Sequence, residues 1–179
     1  PIQFMTHWAN VKEAAQGNRN LLYADCSQVS IDDVKDFWNY MSSTDRSKFK
    51  GNFCWTWLNG VFKNEGGKLN IETDLKVITD AQGNKSLKGK PESLITCLMN
   101  DGYVSLDLNN QGLPLYGSKQ QQYLQGQTIY YFHPRDGRVA GFGADSAGAL
   151  LNCDRNPANC YASLGVFASA SVEARSAQK

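Results

Sequence analysis

The chain has 179 residues, 41% hydrophobic and 11% aromatic, with 18 basic and 17 acidic side chains. That composition suits one folded domain with a sizeable core and excludes a wholly disordered chain. The charges nearly cancel and no long basic stripe exists, so nucleic acid has no electrostatic footing as a partner, and no stretch reaches the ~20 apolar residues of a membrane span.

The first third reads as helical. His7 to Gln16 is compatible with a short helix that Gly17 stops. Ser30-Ile-Asp-Asp33 has the form of a capping box with Asp in the Glu position, and Ile31, Val34, Trp38 and Met41 then recur on one helical face. A third helix is expected from about Asn52 to Phe62, headed by Gly51 and ended by Gly66-Gly67. Beyond Gly67 the texture turns β-like. Lys68 to Thr79 predicts a strand and Asp80 to Asn84 a turn. Glu92 to Met99 and Tyr103 to Leu108 predict a hairpin around Asn100-Asp101-Gly102. Gln127 to Phe132 and Arg138 to Phe142 predict another around His133 to Gly137, and Ser163 to Glu173 a final strand. Helices first and strands afterwards imply one α+β domain over 1–179. In it a helical layer (about 1–66) packs on an antiparallel sheet (about 67–175).

Five cysteines bear on function. Cys153 and Cys160 enclose a polar loop carrying Asn156-Pro157, with no metal-ligand spacing, and predict a small surface disulfide. A disulfide implies an oxidising compartment, so the expected location is secreted or periplasmic. An odd count leaves one thiol over. If Cys26 pairs with Cys97, that thiol is Cys54; if Cys54 pairs instead, no reactive thiol remains at this point of the chain.

Cys54 stands at the start of the expected third helix, where the positive end of the dipole lowers a thiol's pKa. The phrase Phe53-Cys54-Trp55 with that helix resembles the nucleophile segment of papain-like cysteine peptidases and related amidases. The resemblance implies Cys54 as nucleophile and His133, at the end of the expected strand, as base. Asp136, Asp145 or Asp154 would orient the histidine, Asp145 being best placed. The reaction would be amide hydrolysis or glutamine deamidation through a thioester, on a protein or peptide-like substrate. Lys48 stands where papain carries its oxyanion-hole glutamine, so Asn52 or backbone amides would have to serve.

No cofactor is expected. Gly-rich nucleotide motifs are missing, two histidines argue against a histidine-based metal site, and the calcium-like spacing from Asp107 to Gly112 meets Ser118 where an acid is needed. The competing reading is a non-catalytic extracellular binding or assembly module: an adhesin, a pilin-like subunit or an inhibitor or immunity-type partner. In that case aromatics such as Trp55, Trp57, Tyr130 and Phe132 could line a sugar or peptide groove.

Overall fold

The computed structural model describes residues 2–23, 25–49 and 53–158. Two helices come first, α1 (Ile2–Ala15) and α2 (Ile31–Ser42). α1 starts earlier than its pattern predicts and ends just before Gly17, whose φ of +79° lets the chain turn away. α2 begins where its capping box puts it. The Ser30 hydroxyl accepts from the Asp33 amide at 3.1 Å and donates to the Asp33 carboxylate at 2.7 Å.

Seven strands follow: β1 (Cys54–Glu65), β2 (Lys68–Thr79), β3 (Lys85–Ser93), β4 (Gly102–Ser105), β5 (Thr128–Phe132), β6 (Arg138–Asp145) and β7 (Gly148–Arg155). They form one sheet in the order β3-β2-β1-β6-β7-β5-β4. The α+β class holds, with helices packed on a sheet drawn from the later part of the chain. The sheet is mixed, however, because β5 and β7 run parallel while the other neighbours run antiparallel.

The expected third helix is a strand from Cys54 onward. Cys54, Thr56 and Leu58 are buried while Trp55 and Trp57 are half-buried on the opposite side, the period-two alternation of a strand. Gly66 and Gly67, expected as a helix stop, have φ of +61° and +83° and join the directly paired residues Glu65 and Lys68. Positive φ at both central residues is what a two-residue type I′ hairpin requires.

β2 and its Asp80–Asn84 turn fall where predicted, the Asp80 carboxylate accepting from the Gln82 and Asn84 amides at 2.9 and 2.8 Å. Both expected later hairpins are corrected. β3 ends at Ser93 and pairs with β2, leaving residues 94–99 irregular, while β4 pairs with β5. β5 and β6 are not neighbours, because the unforeseen β7 lies between them. Ala149, Leu151 and Cys153 of β7 point into the core. The expected strand over 163–173 lies outside the described residues.

One face of the sheet carries the main core, including Phe62, Ile71, Ile129, Tyr131, Phe142 and Leu151, all fully buried. α1 docks on it through Phe4 and Trp8, whose rings lie 4.8 and 5.8 Å from that of Phe142, and Trp8 meets Trp38 of α2 at 5.1 Å. Each such side chain contributes about 1.5–3 kcal/mol by leaving water. The end of α2 is fastened by the segment preceding β5. The Tyr123 hydroxyl donates to the Ser42 carbonyl at 2.5 Å and Gln125 Nε2 to Ser42 Oγ at 2.8 Å. Gly148 makes room for this clamp, since a Cβ there would sit 2.2 Å from the Tyr123 ring. A second, smaller apolar cluster (Val11, Ala14, Val34 with Leu21 and Val29) forms between the helices, and Trp38 packs against both clusters.

Candidate functional site

The residues of the expected catalytic set lie apart. Cys54 is 1% exposed at the start of β1. Burial pushes its thiol up, more than the Tyr40 hydroxyl and the Arg46 guanidinium pull it down, which is the reverse of an activated nucleophile. Arg46 is itself buried, donates to the Tyr40 carbonyl and stacks on the Tyr40 and Phe49 rings, while its Nε and one Nη lack an acceptor.

His133 follows β5, three strand spacings from β1 and four residues beyond the level of Cys54. Strand geometry therefore separates the two by roughly 20 Å. The histidine is oriented by Asp101, which no sequence reading singled out because Asn100-Asp101-Gly102 read as a plain turn. The Asp101 carboxylate takes His133 Nδ1 at 2.5 Å, the His133 amide at 3.0 Å and Arg135 at 2.9 Å. Burial works against this charge, but the His133 amide and ring and the Arg135 guanidinium hold the carboxyl below its usual range. Asp145 accepts from the Ala147 amide at 2.8 Å in the β6–β7 turn, Asp136 from the Asn64 amide at 2.7 Å, and Asp154 sits 3.8 Å from Arg135. None of the three serves His133 in this arrangement.

The structure shows no disulfide among the described cysteines. Among the described residues Cys26, Cys54, Cys97 and Cys153 are not joined to one another, Cys26 being exposed and Cys97 half-buried with its sulfur 3.8 Å from Met99 Sδ. Cys26 sits in a tight turn closed by the Leu22–Gln28 bridge, its amide donating to the Tyr23 carbonyl at 2.9 Å. Burial pushes the Cys153 thiol well up. Its expected partner, Cys160, lies outside the described residues.

Trp55 and Trp57 stand two residues apart in β1 and share the half-buried phase of its alternation. Trp55 lies on the face away from the helices, flat over Gly143, where a Cβ would be 2.3 Å from the ring, and the Arg155 guanidinium covers it at 3.9 Å. The indole is sandwiched between the two and offers no open platform. A polar recess of about 560 Å³ beside it is bordered by Phe132, Arg138, Asn152 and Asp154.

Trp57 also borders a larger recess, a groove of about 1030 Å³ between the helices and the β1–β2–β3 end of the sheet. Val11, Val34, Phe37 and Met41 form the helical wall, and Leu58 and Ile71 belong to the sheet wall. At the rim Leu22 and Tyr23 are 61% and 50% exposed. The groove thus lies between the two apolar clusters, where a close-packed domain would be expected to fuse them.

Polar side chains interrupt this apolar lining, and several are already engaged. Glu92 accepts from Thr73 Oγ1 at 3.1 Å and from Gln111 Nε2 at 3.5 Å, Asp74 pairs with Lys90 at 2.9 Å, and Asp33 holds Ser30. Trp8, also in the lining, keeps a buried indole Nε1 with no acceptor. Among the described residues no group of His, Cys, Asp and Glu is gathered as a metal site, and no helix is long and apolar enough to cross a membrane.

The fold and this recess define an α+β domain with an apolar groove between its layers. Compared with known proteins the chain finds no match among family models, curated proteins or solved structures.

Proposed function

We propose that this chain is a non-catalytic binding module that takes an apolar, peptide-like ligand into the groove between α1–α2 and β1–β2–β3. The observation that carries this reading is the 1030 Å³ space left between two apolar clusters that would otherwise merge. Its size reaches the top of the range that ligand sites occupy, and most of its exposed lining surface is apolar, as in such sites. A cysteine hydrolase lacks comparable support, because the Cys54 thiol is buried and His133 is turned to Asp101.

Titration with the neutral dye Nile red tests the reading. Saturable one-to-one binding with blue-shifted emission is expected. Phe37→Asp and Leu22→Asp, both at the groove, should weaken it by tenfold or more, since each sets a charge in an apolar site. Val77→Asp, on the exposed β2–β3 hairpin and outside the groove lining, should leave it unchanged. No saturable binding, or equal loss in all three variants, removes the proposal.

A further inference from the structure

We infer that the groove's ligand is a peptide segment whose apolar anchors are flanked by lysine or arginine, an inference that rests on the groove being the binding site. The charges of the lining are one-sided. Asp33 stands on the helical wall and Asp74 and Glu92 on the sheet wall, His7 of α1 is the imidazole of the lining, and no Lys or Arg among the described residues borders the groove. Asp74 is matched by Lys90, but no ion pair among the described residues includes Asp33 or Glu92. Two carboxylates on facing walls, with an apolar floor between them, complement a ligand that is apolar in its middle and positive at its flanks.

Further observations favour a peptide over a small cationic amphiphile. The volume lies at the top of the ~300–1000 Å³ range of ligand sites, so it suits several side chains presented together. The lining carries the side-chain amides of Gln3 and Asn110, which suit the backbone groups that a peptide supplies beside its apolar side chains. The recognition is that of an amphipathic segment laid into a groove, the anchors providing affinity while the charged flanks set orientation and partner choice.

Three dye-labelled synthetic peptides test this, alike in their leucine and phenylalanine anchors and flanked by lysine, glutamine or glutamate. Fluorescence polarisation at low ionic strength should rank them in that order, with the lysine form roughly tenfold tighter than the glutamate form. Added salt should narrow the gap, since the carboxylates are partly solvated. Glu92→Gln and Asp33→Asn should each narrow it further while Nile red still binds, which also shows that the variants fold. Equal affinity for the three peptides overturns the inference, as does a gap that survives in the double variant. Binding of dodecyltrimethylammonium but of no peptide overturns it in favour of a small amphiphile. Nile red binding without any peptide binding overturns it while the groove reading stands, whereas failure of Nile red removes the groove reading itself.

Discussion

The two ends of the sheet's helical face are packed in opposite ways. Over β6 and β7 the helices are in close contact: Phe4, Trp8 and Phe142 interlock, and the Tyr123 clamp holds the last turn of α2. Toward β1, β2 and β3 the same helices stand away and leave the groove. One sheet face can therefore serve as foundation at one end and as an open wall at the other. The difference lies in what the helices present. α1 offers large aromatic rings to Phe142, whereas on the groove side of α2 Met41 joins the cluster that holds Leu58 and Ile71 and Val34 belongs to the smaller one.

The largest effect should come from the packed end. Phe142→Ala is expected to cost about 3–5 kcal/mol, because it removes a fully buried ring from an interlocked aromatic cluster. Phe37→Asp, on the groove side and 37% exposed, should cost less than about 1 kcal/mol. Urea denaturation of both variants measures the contrast, and equal losses would mean that the groove is closed and packed in solution.

Thiol reactivity sharpens the same comparison. In the native protein iodoacetamide should modify Cys26, which lies at the groove, well before Cys54 or Cys153, which lie in the core. Mass mapping reads the order, and a groove ligand should slow the labelling of Cys26 alone. Rapid labelling of Cys54 would refute its burial and reopen the hydrolase reading.

The smallest effect belongs to the far edge, where Asp101 ties β4 to the segment after β5. Its folded-state pKa is depressed, so its contribution to stability is present above the unfolded carboxylate value of about 3.9 and disappears as pH falls through the lower folded value. Asp101→Asn should thus be less stable than the parent near neutral pH, and the difference should shrink toward zero in acid. A difference that does not change with pH would show that the Asp101 charge contributes nothing.

Much of this fold was legible locally. The Ser30 capping box set the start of α2, and the Asp80 turn with its flanking β2 pattern set that hairpin, because each is closed by hydrogen bonds between residues a few positions apart. The segment Phe53 to Phe62 was misread because aromatic-rich runs suit either state, and the glycine pair after it punctuates both helices and hairpins. The expectation at Cys54 followed from that reading: a helix N-terminus lowers a thiol's pKa, whereas burial at the start of a strand raises it. Asp101 was overlooked because its turn-forming sequence conceals a carboxylate whose partners lie 32 and 34 positions away.

By itself, then, the sequence determined the α+β class, the helix cap and the β2 turn, since local backbone geometry and side-chain hydrogen bonds decide these. Only the tertiary structure decided which strands pair, that β7 enters between β5 and β6, and that the helices leave a groove at one end of the sheet. Those outcomes depend on the summed burial of residues distant in the chain, and no short segment encodes that sum.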